Sequence, residues 1–323
     1  MCRTAGLLAG VILSLFAQVS SPTLLLAETP PSFLKGWGSC GSASGQFDNP
    51  LSLAVDLSGR VYVADTWNRR VQVFTNDGLH LDIWNLEDLA MAIATSRTGL
   101  IYRGWSTAVE AVTPDGTVQH GVSTTDSQGR SFGFITAIAV DPSETWIYVG
   151  FDVGGPPETN FAVVRFLSDG TSYETVAPYG WRDGEATQPW GLAVGPSGRL
   201  YVAAGGKIQI FSSDMHWLET WSLAGSPEWA WHRPAGIAVD ELENIYVADL
   251  DRVLKLNSSG ALLSTWGSQG TGPGEFSEAR GIGVDPSGNV FVLDRLNCRV
   301  QKFGELPVVA TPSTWGRIKA ERR

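Results

Sequence analysis

Apolar and polar positions alternate along most of this chain in short runs of four to six residues, each run ending in Gly, Pro, Asp or Asn. Residues 51–74, LSLAVDLSGRVYVADTWNRRVQVF, show the pattern fully, and residues 280–303, RGIGVDPSGNVFVLDRLNCRVQKF, repeat it. A period of two places Val61 and Val63 on one face of a strand and Tyr62 and Ala64 on the other, so both faces of such a sheet are available for packing. In the fourth copy, strands are predicted at residues 191–194, 200–202, 207–211 and 217–221, with a Pro196-Ser197-Gly198 turn after the first. The small residue of the Ala-Val-Asp phrase is placed at Ala54, Ala92, Ala139, Ala193, Ala238 and Gly283, giving steps of 38, 47, 54, 45 and 45 residues.

A period in the forties, made of four short strands per copy, predicts an all-β fold. The expected fold is a six-bladed β-propeller of four-stranded antiparallel blades over residues 33–303. The chain opens with an outer strand at 33–37 that has no blade of its own, and the sixth copy stops after its third strand at Phe303. Pairing these two closes the ring and removes a free sheet edge. Large aromatics that end outer strands, Trp37, Trp84, Tyr179, Trp221 and Trp266, are read as wedges filling the gap between diverging blades.

Composition narrows the function. With 33 Asp plus Glu against 23 Lys plus Arg, the formal charge is -10; phosphate backbones are repelled, and nucleic acid is not an expected partner. Residues 1–27 carry Arg3 and then a nearly continuous apolar stretch, which reads as a signal peptide with cleavage at Ala17 or Ala27, or as an uncleaved N-terminal anchor. The expected location is therefore secreted or periplasmic, with a membrane involved only if that segment is retained. Residues 304–323 form a Pro-containing basic tail, read as solvated, with a docking segment around Trp315 and Ile318 as the other reading. A monomer is expected.

The phrases Gly-Ile-Ala-Val-Asp, Gly-x-Val-Tyr-Val-Ala-Asp and Asn-x-Arg-Val-Gln-x-Phe resemble the NHL-repeat family. The first copy (Val55, Asp56, residues 61–65, Asn68, residues 70–74) and the sixth (Val284, Asp285, residues 290–294, Asn297, residues 299–303) match almost fully. The fifth matches in its first half. The resemblance implies the propeller fold and leaves function open, because one scaffold hosts binding modules and a few lyases. In copies two to four the Asp that ends the second strand is placed at Arg103, Gly150 and Ala204, so those blades must hold their loops differently. Propeller lyases of similar fold hold zinc with histidines just before the Gly of the inner strand. The matching positions here are Leu51, Leu89, Thr136, Trp190, Ala235 and Arg280, none of them a histidine.

Cys40 follows the first outer strand and Cys298 precedes the third strand of the sixth copy, so antiparallel pairing at the seam brings the two sulfurs together. A disulfide is expected. No catalytic residue, metal site or cofactor is assigned: His80, His120, His216 and His232 fall in outer strands or a loop, and no nucleophile elbow or phosphate loop is present. Asn257-Ser258-Ser259 matches a glycosylation sequon by pattern alone. What remains is a surface of loops on one face, carrying Trp67, Trp105, Trp190, Trp229, Trp231, His232, Arg233 and Arg280, with the long segment 150–160 as a lid. Trp and Arg anchor interfaces and sugar rings. The expected role is binding of a protein or carbohydrate ligand, with Arg280 favouring a carboxylate. The alternative is a channel-centred lyase or hydrolase whose metal is held partly by backbone carbonyls.

Overall fold

The computed structural model describes residues 27–105, 107–125, 129–152, 161–223 and 234–306. Among the described residues every regular element is a strand. Blade 1 comprises β2 (Ser52–Val55), β3 (Val61–Asp65), β4 (Arg70–Phe74) and β5 (His80–Asn85). Blade 2 comprises β6 (Ala92–Thr95), β7 (Ile101–Trp105), β8 (Ala108–Val112) and β9 (Val118–Ser123). Blade 3 comprises β10 (Phe134–Val140), β11 (Trp146–Asp152), β12 (Phe161–Leu167) and β13 (Tyr173–Pro178). Blade 4 comprises β14 (Pro189–Val194), β15 (Leu200–Ala204), β16 (Lys207–Phe211) and β17 (Trp217–Ser222). Blade 5 comprises β18 (Pro234–Val239), β19 (Ile245–Asp249), β20 (Arg252–Leu256) and β21 (Leu262–Trp266). Blade 6 comprises β22 (Ala279–Val284), β23 (Val290–Asp294), β24 (Arg299–Gly304) and, from the start of the chain, β1 (Ser32–Trp37).

All strand pairs are antiparallel, and β1 pairs with β24 from Ser32↔Gly304 to Trp37↔Val300. Ring closure by the first strand is therefore as the alternation predicts. At the seam Cys40 and Cys298 stand at disulfide distance, with Cα atoms 4.9 Å apart across 258 residues of chain. Six apolar clusters fill the six gaps between blades, so the core is distributed around the ring rather than gathered at its centre.

The register corrects several positions. Ala54, Ala139, Ala193, Ala238 and Gly283 lie opposite Tyr62, Tyr148, Tyr201, Tyr246 and Phe291, and in blade 2 the residue opposite Tyr102 is Ala94, not Ala92. The first two steps are thus 40 and 45 residues. Ala92 and Ala94 are two apart and face the same side of the strand, which is why alternation alone did not separate them. The Asp position shifts likewise to Trp105 in blade 2 and Phe151 in blade 3, while Ala204 in blade 4 is as expected. Tyr179 lies beyond β13, and Ala177 takes its wedge position.

The other wedges act through their neighbours. Trp37 packs on Phe74 and Phe291, Trp84 on Tyr62, Trp221 on Tyr201 and Trp266 on Phe303. The turn of the next blade passes so close that a Cβ on Gly78 would lie 2.5 Å from Trp37, and one on Gly260 2.6 Å from Trp221.

The inner strands crowd around the axis in the same way. A Cβ on Gly236 would stand 2.0 Å from the carbonyl oxygen of Arg280. Backbone cannot yield as a flexible side chain can, so Gly236→Ala is expected to cost about 3 kcal/mol or more, read as a fall in the urea midpoint. A midpoint unchanged from wild type would show that blades 5 and 6 separate freely.

Candidate functional site

The strand-4-to-strand-1 loops and the 2–3 turns lie on one face of the ring, here called upper. The clamp that positions them is clearest in the blades that match the repeat best. In blade 6 the buried Asp294 accepts the Ser277 amide at 2.7 Å through Oδ1, and Asn297 Nδ2 at 2.8 Å and Arg299 Nε at 2.8 Å through Oδ2. Arg299 then donates to the carbonyls of Thr271, Gly272 and Glu275, and Gln301 to that of Glu275, fixing the incoming loop. Blade 1 repeats this with Asp65, Asn68, Arg70 and Gln72 holding residues 42–48.

The drifted blades use other means. In blade 4 Gln209 keeps its grip, accepting the Gly184 amide at 2.6 Å, without Asp or Arg. Blade 3 replaces charge by an aromatic cluster in which Phe132 packs on Phe151, Phe166 and Tyr173. Blade 2 carries a half-buried Trp105 at the Asp position and an Arg103–Glu110 ion pair at 2.9 Å within the sheet.

Two layers of side chains line the channel beneath the upper face. Three residues before the small inner-strand residue come Leu51, Met91, Thr136, Trp190, Ala235 and Arg280; Met91, whose amide bonds Gly104 as that of Leu51 bonds Ala64, stands where Leu89 was expected. One residue before it come Leu53, Ile93, Ile138, Leu192, Ile237 and Ile282, a branched aliphatic from every blade and each 6% exposed or less. All of these except Met91 line a cavity of about 60 Å³ between the inner strands, Arg280, Trp190 and Thr136 among them. An engineered apolar cavity of about 150 Å³ takes a benzene; a sugar ring does not fit in this one.

At the rim the Arg280 guanidinium stacks 4.6 Å over the Trp190 ring and pairs with Glu278 at 3.1 Å. Glu278 also pairs with Arg295 at 2.5 Å, which in turn donates to Asn49 at 2.7 Å. The indole Nε1 of Trp190 is buried without a partner, and Thr136 Oγ1 donates to the Pro189 carbonyl at 2.5 Å, tying blade 3 to blade 4.

The lower mouth is built differently. Arg97 in blade 2 and Glu241 in blade 5, on opposite sides of the ring, form an ion pair at 2.8 Å that spans it. Two lower turns lacking the repeat's Asp, at Ser96 and Gly195, receive a carboxylate from the next blade. Glu144 accepts the Thr98 amide and hydroxyl at 2.7 Å; Glu243 accepts the Ser197 amide at 2.6 Å and Tyr201 Oη at 2.9 Å. Burial, reinforced by Glu144 and Asp141, pushes the Tyr102 phenol up to about 12, and burial with the Glu243 bond raises Tyr201.

Of the residues named from sequence, Trp190 and Arg280 meet at the channel rim, and Trp67 lies on the same face, 63% exposed, in the 2–3 turn of blade 1. Trp105 is half-buried at the end of β7. Trp229, Trp231, His232 and Arg233, and residues 153–160 of the expected lid, lie outside the described residues, as do residues 1–26 and 307–323. Trp181, 72% exposed in the loop before blade 4, was missed, as were Phe134 and Leu296, 64% and 58% exposed on the same face. Leu296 was legible, since it occupies in blade 6 the turn position that Trp67 occupies in blade 1.

His80 and His120 pack on Phe74 and Tyr102 in outer strands. Ser212, Asp214 and His216 look like a triad in sequence, but Ser212 Oγ and His216 Nδ1 occupy opposite oxygens of Asp214, at 2.5 and 3.0 Å, on an exposed turn. The serine therefore has no base, and the group caps the turn. Among the described residues, no three His, Cys, Asp or Glu side chains converge as a metal site.

Comparison with known proteins agrees with this architecture. The NHL repeat model matches residues 47–74 and 276–303. The human E3 ubiquitin-protein ligase TRIM32 is 49% identical over 51 residues, covering 16% of this chain and 8% of that protein. Human NHL repeat-containing protein 3 is 40% identical over 63 residues, covering 19% and 18%; this chain thus matches well under two thirds of either relative's length. Among solved structures, a gluconolactonase from Xanthomonas campestris aligns over 87% of this chain and 99% of its own, with TM-score 0.64 and 16% identity. Virginiamycin B lyase from Staphylococcus aureus aligns over 84% and 95%, with TM-score 0.54 and 13% identity. At such identities these structures share the fold alone.

Proposed function

We propose that this NHL-repeat, six-bladed propeller is an exported binding module that holds a protein ligand across its upper face. The observation that carries the reading is the set of exposed large apolar side chains on that face, Trp67, Trp181, Phe134 and Leu296, around the Arg280–Trp190 rim. Exposed Trp with neighbouring Arg is the composition of an interface anchor rather than of ordinary surface. The loops that present these groups are clamped to their blades, so little ordering cost attends binding.

Both ends of the ring leave the opposite side. Ser32 and Gly304 pair at the lower edge, and Glu28 is tied to blade 5 by its amide to Leu263 at 2.8 Å and by Lys255 at 2.5 Å. A leader or anchor preceding Glu28 would leave the upper face pointing away from the membrane.

Immobilised full-length protein and its Trp67→Ser/Trp181→Ser variant, exposed to the extracellular fraction of the native host, test the reading. A protein retained by the wild type and lost, at least tenfold, by the folded variant is the expected result. Equal retention by both, stoichiometric bound zinc, or turnover of a lactone by the purified protein would overturn it.

A further inference from the structure

We infer that β21, the outer strand of blade 5, is the edge through which a second copy of this chain would add a strand, and that residues 28–31 are a strap that keeps this edge closed. The outer strand of every blade ends its sheet, and a charged side chain on such an edge is what deters strand addition. At the position that Ser264 takes in β21, the other outer strands carry Asp82, His120, Glu174, Glu219 and Lys35. The histidine of β9 is followed by Gly121, which weakens that strand. β21 reads LLSTW, with no charge, no Pro and no Gly.

The start of the chain supplies what β21 lacks. The Glu28 amide donates to the Leu263 carbonyl at 2.8 Å, and the Glu28 carboxylate pairs with Lys255 at 2.5 Å. Blade 3 shows why that carboxylate is needed: Arg165, in the place of Lys255, pairs with Glu174 of its own outer strand, an anion that Ser264 cannot provide. Burial records the cover. Leu81 in β5 and Leu218 in β17 are 46% and 43% exposed, whereas Leu263, at the same position in β21, is 6% exposed. Ser264 is also 6% exposed, and its hydroxyl is buried without a partner. The strap itself ends the sheet, because Pro30 and Pro31 have no N–H to offer a further strand. Cleavage after Ala17 or Ala27 leaves Glu28 in the chain. An antiparallel edge is its own complement, so two bare β21 strands can pair about a two-fold axis.

Sedimentation velocity of the full chain between about 1 and 100 μM, together with hydrogen exchange of β21, tests the inference. The wild type should stay monomeric throughout. Glu28→Pro removes the amide donor and the carboxylate together. Its β21 amides should exchange at least tenfold faster than those of the wild type at the lowest concentration, and slow again as a dimer forms at the highest. Glu28→Lys keeps the amide but sets a second cation beside Lys255, and should dimerise in the same way, more weakly. Adding Ser264→Glu to Glu28→Pro copies the Arg165–Glu174 arrangement of blade 3 onto blade 5 and should return the protein to monomer. A wild type that already pairs through β21, folded Glu28→Pro and Glu28→Lys variants that both stay monomeric at the highest concentration, or a dimer that survives Ser264→Glu would overturn the inference.

Discussion

Replacing Cys40 with serine is expected to lower the stability of the folded ring by roughly 5 kcal/mol, the figure that loop-closure entropy assigns to a cross-link spanning a loop of this length. The cross-link joins residues 258 apart at the one place where the ring is closed by non-covalent pairing. β1 is held by its ladder to β24, by Trp37 against Phe74 and Phe291, and by Phe33 against Phe303. Without the disulfide, those contacts and the tie of Glu28 to blade 5 oppose the entropy of releasing a six-residue strand. Cys40 is the better residue to change, because Cys298 sits at φ 53° and is 8% exposed. Urea unfolding should show the fall, and hydrogen exchange should rise first in β1 and β24. A loss below about 1 kcal/mol, or exchange that rises evenly around the ring, would show that the seam does not limit stability.

The second large effect is expected at Asp294. Asp294→Ala should cost about 3–5 kcal/mol, because it leaves the Arg299 guanidinium largely buried with its countercharge gone. It also releases the Ser277 amide and the Asn297 and Gln301 side chains from one carboxylate. Asp294→Asn should fall between, since the amide oxygen still accepts from Ser277 while the charge is lost. Blades 3 and 4 set the comparison: with Phe151 and Ala204 at this position they never bury the cation, so neither incurs that penalty. An Asp294→Ala variant within 1 kcal/mol of wild type in denaturant midpoint would refute the clamp's role in positioning the upper loops.

The clamp also explains how far the repeat could be read. In blades 1 and 6 the Asp, Asn, Arg and Gln all recur, and sequence placed them correctly because each has a distinct polar role at a fixed offset. In blades 2 and 3 those markers are missing, and Trp105 and Phe151 were not recognised as occupying the Asp position until the pairing of Ala94 with Tyr102 and Ala139 with Tyr148 set the register. Glu144 and Glu243 were invisible for a related reason. Each serves the turn of the preceding blade, some 46 residues away in sequence, and a local pattern holds no trace of a contact made in the neighbouring repeat.

The site divides along the same line. Arg280 and Trp190 could be named from sequence because both stand at the same offset from the inner-strand small residue, and equal offsets in a ring converge on its axis. Their stacking, the sharing of Glu278 with Arg295, and the depth of the cavity depend on side-chain directions that only the packed ring defines. Trp181 shows the reverse case, a large aromatic in an irregular loop, where no period signals exposure.

Sequence by itself determined the strand count per repeat, the number of blades, the closure of the ring and the pairing of Cys40 with Cys298. These follow from alternation, period and the odd strand left over, all properties of the chain read in order. The tertiary structure decided the register of the drifted blades, the carboxylates supplied from neighbouring blades, the Arg97–Glu241 bridge and the small cavity lined by Arg280, Trp190 and the inner-strand aliphatic residues. Each of these is a contact between blades, and its energy comes from atoms that are distant along the chain and adjacent only once the ring has closed.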